Sequence, residues 1–224
     1  MDDQHAIQAL AAAREAIQER RTLNGTGYWP LVRAAKRQSF LAQRFGKQIA
    51  QIDKESFESA VRMRVPAAVG LVILSFGTTA GVGLLLVAGN WRSQMVRDLT
   101  FLAGFGALDV FTHSLAHWIV GRSVGIRFTH LFIGGPPPPR PGFKTDYETY
   151  LTSTPMRRAA MHASGAIVTK LIPFILIPTL DAVGTSRWMV WVLLAVGFGQ
   201  ILTDVLFSTK TSDWKKVKRE LGSG

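Results

Sequence analysis

The sequence contains no cysteine, which excludes both a disulfide framework and a thiolate metal site. It is also short of acid: 15 Asp and Glu stand against 26 Lys and Arg, a formal net charge of +11. An excess of that size suits a nucleic-acid binder as well as a membrane protein. A second scarcity separates the two. Charge is missing from residues 65–90, and it is reduced to Asp109 in 99–121, Lys170 in 159–180 and Asp204 in 188–209. A soluble basic protein has no use for uncharged runs of that length. The first 60 residues, by contrast, are too polar for a cleavable signal peptide.

Each uncharged run reaches the ~20 residues that cross a ~30 Å hydrocarbon core. The expected fold is an all-α integral membrane protein with four transmembrane helices, at about 65–90, 99–121, 157–180 and 188–209. Residues 1–64 precede this membrane domain (65–209), a proline-rich loop occupies 125–155, and a basic tail covers 210–224. Lys and Arg number 11 before Val65, six from Arg122 to Arg158 and five after Thr209. Under the positive-inside rule both termini and the 122–158 loop are cytoplasmic, in the cell (inner) membrane. The basic residues then meet the lipid bilayer and its anionic headgroups, and no nucleic acid is required.

The N-terminal segment reads as a helix over 2–21, a break at Asn24-Gly25-Thr26-Gly27, and a second helix over 31–62 after Pro30. Leu41, Phe45, Ile49 and Ile52 recur at near-helical spacing in the latter. Such a face packs on other helices, lies on the membrane surface, or docks a membrane-protein partner. In the first membrane helix, Gly77 and Gly81 have the spacing that lets helices approach closely. Gly125 to Gly135 reads as a short extended segment, and the run from Pro136 to Pro139 that follows it is stiff and serves as a spacer or as a cap on the helix bundle. The tail around Trp214 reads as a basic interfacial segment.

Chemistry concentrates on the second membrane helix. Asp109, His113 and His117 recur every fourth residue, so they stack along one face. Ionisable groups in an apolar span are costly and turn inward, where they usually carry function. Two histidines at this spacing offer two nitrogens to one zinc ion. The plain alternative is a pair of buried histidines bonded to neighbouring helices. Asp109 either orients His113 or ligates in its own right, and His162 on the third helix is a further candidate ligand. Lys170 and Asp204 either form a salt bridge within the membrane or serve the site. Counting 1.5 Å per residue from Arg122, His117 lies ~7 Å and His113 ~13 Å inside the boundary, and Asp204 lies ~9 Å from Lys210.

The succession His113, His117, Gly121-Arg122, Gly125-Ile126-Arg127 and Phe132-Ile133-Gly134 resembles the first core helix and following loop of the site-2 protease family, the intramembrane zinc metalloproteases. The resemblance implies a three-helix core formed by the last three spans. It also implies a Zn2+ ion held by His113, His117 and, from the last core helix, Asp204. In that family the residue after the first histidine is the catalytic Glu; here it is Ser114. A zinc peptidase needs a carboxylate to take up and return the proton of its metal-activated water, and losing a general base costs ~10²–10⁴ in rate. The expectation is therefore a metal-binding pseudoprotease that acts as a binding, scaffold or accessory subunit of a membrane assembly. Two alternatives stand beside it. One is an active metalloprotease with Asp109 as a substitute base; the other is a transporter or proton relay built on the same Asp-His-His-Lys set.

Overall fold

The computed structural model describes residues 1–134, 140–206 and 212–222. The chain opens with three helices, α1 (Asp3–Gln18), α2 (Tyr28–Arg37) and α3 (Ser39–Ala60). Asp2 caps the first by accepting the His5 N–H, and Gly27, at φ +81°, turns the chain into the second. Their apolar stripes close on one another. Ala9, Leu10, Leu31, Leu41, Phe45, Ile49 and Ile52 form one buried cluster, so the predicted amphipathic face is spent on packing. Tyr28 is fully buried within it and donates its hydroxyl to the Ile49 carbonyl at 3.0 Å. Tyr28→Phe is expected to lower the stability of this unit by about 0.5–1.5 kcal/mol, read as an earlier loss of helicity on heating.

Strand β1 (Arg64–Pro66) leads into α4 (Ala67–Ala88) and α5 (Gln94–Ser123), followed by β2 (Phe128–Gly134), β3 (Arg140–Thr145) and α6 (Tyr147–Thr152). Helix α7 (Pro155–Leu176) continues through a 3-10 turn at Ile177–Thr179 into α8 (Leu180–Val183), and α9 (Trp188–Leu206) and α10 (Asp213–Leu221) complete the order. Among the described residues, four segments are long and apolar enough to cross a membrane: α4, α5, α7 with its extension to Val183, and α9. Their outer faces are apolar and open; Phe76 and Trp191 are 75% and 71% exposed.

Helix α4 packs on α5, α5 on α7, and α7 on α9. The expected close approach occurs in the first pair, where a Cβ on Gly77 would lie 2.5 Å from the Phe111 ring. Inside α7, Pro173 is accommodated in the helical run before the 3-10 turn.

The all-α expectation needs one correction. The three strands form an antiparallel sheet in the order β1-β2-β3, with Val65 opposite Leu131 and Leu131 opposite Phe143. The backbone of 128–134 has strong donors and acceptors that no helix uses, and it finds partners on both sides. Pro141 is tolerated because β3 is an edge strand. The extended segment expected at 125–135 is β2, while β3 and α6 add regular structure to the expected loop; the run Pro136–Pro139 lies outside the described residues.

Alternation of the four spans brings β1, the β2–β3 pair, α6 and α10 to one end of the bundle. The N-terminal helices join them there through α3 and α2 against α6. Asp53 pairs with Lys144 at 2.5 Å, and Glu58 with His130 at 3.5 Å, which ties α3 to the sheet.

Candidate metal centre

The two imidazoles sit in the last turns of α5, on the end of the bundle where the sheet and α10 gather. His117 is six residues from Ser123, or ~9 Å of helix. Its Nε2 lies 3.2 Å from His113 Nε2. The carboxylate that meets them comes from the first residue of α10: Asp213 Oδ2 is 3.2 Å from His113 Nε2 and 3.3 Å from His117 Nε2. The three side chains form the group among the described residues that can hold a metal ion, and all three are half-buried.

The near-equilateral spacing is informative. Ligands about 2.0 Å from a tetrahedral zinc ion stand about 3.3 Å from each other, close to the edges formed by His113, His117 and Asp213. The surroundings fix one tautomer. The Met161 carbonyl lies 2.6 Å from His117 Nδ1, so that nitrogen donates and a neutral ring leaves Nε2 with a lone pair. That lone pair faces Asp213 Oδ2, an arrangement that is unfavourable unless a proton or a cation lies between them. A carbonyl holding the far nitrogen is also the usual way a ligating histidine is oriented.

Burial raises the Asp213 carboxyl, but hydrogen bonds from the two imidazoles, given where Nε2 carries a proton, and the Lys216 ammonium more than offset this and hold it well below the usual carboxylate range. Lys216 Nζ takes the other oxygen, Oδ1, at 2.9 Å, which leaves Oδ2 to the imidazoles. The first turn of a helix is also electrostatically favourable for an anion.

Gly165 on α7 admits the site. A Cβ there would stand 2.5 Å from His117 Nε2 and 2.8 Å from the His113 carbonyl oxygen. Ser164 donates to the Met161 carbonyl at 2.7 Å. His162 is beside the cluster, its ring centre 6.5 Å from that of His117, and its Nε2 bonds the Tyr150 hydroxyl at 2.9 Å.

Asp204 does not join the imidazoles. Its carboxylate is ion-paired with Lys170, the other half of the alternative weighed above. The physical reason is the position of α7, which packs on both α5 and α9, together with the need of a cation in an apolar bundle for a counter-charge. Asp109 turns elsewhere too: its Oδ1 accepts from Gln200 Nε2 of α9 at 2.8 Å. Ser114 is fully buried and donates its hydroxyl to the Pro141 carbonyl, so the residue after the first histidine fastens β3 to α5.

Asp213 is the residue that sequence reasoning passed over. Its signal is present in the sequence: Asp213 and Glu220, two turns apart, share one face with Val217 on a helix that also carries Lys215, Lys216, Lys218 and Arg219.

The molecule is thus a mostly helical protein with four helices fit to cross a membrane and a His-His-Asp cluster that can bind metal. No family model, curated protein or solved structure matches the chain.

Proposed function

We propose that the chain is a polytopic membrane protein holding a divalent metal ion, zinc by its donor set, through His113, His117 and Asp213. We further propose that it acts as a non-proteolytic binding or scaffold subunit. The observation that carries this reading is the 3.2–3.3 Å triangle of two imidazole nitrogens and one carboxylate oxygen, whose edges match a zinc shell. Kinship with the site-2 proteases remains part of the proposal, supported by the His113/His117 spacing and the loop sequence that follows. With both termini and the 122–158 loop on the cytoplasmic side, the centre lies at the cytoplasmic face of the bilayer, where the basic residues cluster.

Bound zinc supplies Lewis acidity and a tie between helices. What the chain adds decides which of these is used. Hydrolysis requires a carboxylate placed to take a proton, whereas a buried hydroxyl bonded to a backbone carbonyl occupies position 114. Asp109 is engaged with Gln200. The ion then serves structure, joining α5 in the membrane to α10 outside it.

The test is metal analysis of the protein purified in detergent. Wild type is expected to carry about one zinc per chain, and His113→Ala/His117→Ala none. Equal zinc in both overturns the site. Cleavage of a model transmembrane substrate by wild type, abolished by Asp109→Ala, would overturn the non-proteolytic reading.

A further inference from the structure

Helix α10 is held at both ends by charge. At its start Asp213 meets the two imidazoles. Two turns later Glu220 enters a buried cluster: it is 0% exposed, Arg158 of α7 is 1% exposed, and Arg158 Nε donates to Glu220 Oε2 at 2.7 Å. Lys36 of α2 pairs with the other oxygen, Oε1. Arg158 also donates to the Ser153 carbonyl at 2.5 Å. Lys36 lies over the Tyr150 ring at 4.9 Å, and the Tyr150 hydroxyl reaches His162, the neighbour of His117. The N-terminal helical unit, the third membrane helix and the metal centre therefore all bear on one nine-residue helix.

Such a helix is short for an independent element, and its remaining face is exposed, carrying Lys215, Lys218 and Arg219 together with Trp214 and Leu221. Its packed face lies along α7, and the two charged contacts anchor that face at either end. They cooperate because either one, once made, places the other end of a rigid rod about 10 Å away.

We infer that α10 is a metal-dependent latch, in which Glu220, gripped by Arg158 and Lys36, is a positioning residue that presents Asp213 to the metal. The inference rests on the metal reading proposed above and adds its regulation. Binding at the two ends is reciprocal: zinc strengthens docking, and docking strengthens zinc by the same factor. Because Lys36 belongs to the N-terminal unit, anything that moves α2 relative to α7 loosens the ion. The chain thus carries a route by which a partner bound to its extramembrane helices controls metal occupancy.

The experiment uses the full chain in detergent micelles, with zinc affinity from competition with a chromogenic chelator and amide exchange over residues 213–221. In wild type, chelation is expected to raise exchange over 213–221 by about tenfold or more while α1–α3 stay protected. Glu220→Gln is expected to raise exchange in the presence of zinc and to weaken zinc by about tenfold. Lys36→Met, which keeps the apolar stem on Tyr150, is expected to do the same to a smaller extent. It stands in for Glu220→Gln should that variant lose helicity. Wild-type zinc affinity in Lys36→Met and in a folded Glu220→Gln, or exchange over 213–221 indifferent to zinc in wild type, would overturn the latch and leave the metal centre standing. Absence of zinc binding in wild type would overturn the metal reading itself, and the latch with it.

Discussion

Asp213→Asn is expected to weaken zinc binding by at least about 10²-fold, since loss of a group that merely orients a ligand already costs 10–100-fold. Asp204→Asn is expected to leave zinc affinity unchanged. The two carboxylates compete for one assignment. Asp204 belongs to α9, the last of the four long apolar helices and the one from which the resemblance draws a third ligand, while Asp213 belongs to the short helix α10 and lies within 3.3 Å of both imidazole nitrogens. Asn preserves shape and removes charge, so the substitution tests ligation with little change in packing. The two variants also differ in how they destabilise. Asp204→Asn leaves Lys170 without its counter-ion and is expected to lower thermal stability with or without zinc. Asp213→Asn is expected to lower it chiefly by removing the stabilisation that zinc provides. Loss of zinc in Asp204→Asn with retention in Asp213→Asn would transfer the third ligand back to α9 and dissolve the link between the metal and α10.

The contrast marks what the sequence made legible. The four spans were plain because a helix in lipid has to be long and nearly uncharged, and α4, α5, α7 and α9 meet that demand in one dimension. The His113/His117 pair was plain for a similar reason, since four residues make one turn. Ligands contributed by a second helix obey no such local rule. Asp204 and Asp213 differ by nine positions, and which one arrives at the imidazoles depends on where α7 lies between α5 and α9, a fact of packing. The extended run at 125–135 is legible in the sequence and becomes β2, but its pairing into the small sheet is not: β1 has three residues, too few to show an alternation, and prolines around β3 argue for a loop. The bond from Ser114 to β3 follows from that sheet and has no local signature either.

Gly165→Ala is expected to remove zinc binding, weakening it by about 10²-fold or more, and to destabilise the bundle by about 1–3 kcal/mol. The added Cβ would stand 2.5 Å from His117 Nε2, 2.7 Å from its Cε1 and 2.8 Å from the His113 carbonyl oxygen. The ring has one way to yield, by rotating away from α7, and that breaks the bond from Nδ1 to Met161 and carries Nε2 out of the triangle. The His113 carbonyl belongs to the α5 backbone and yields only if the two helices separate. Metal ligands must be held to about 0.5 Å, less than either movement would take. Gly199→Ala is the matched control, because a Cβ at Gly199 meets nothing within 4 Å; it is expected to leave zinc and melting temperature as in wild type. Zinc affinity in Gly165→Ala equal to that in Gly199→Ala would mean that the imidazoles do not work against the face of α7, and that the metal, if bound, is held by some other arrangement of side chains.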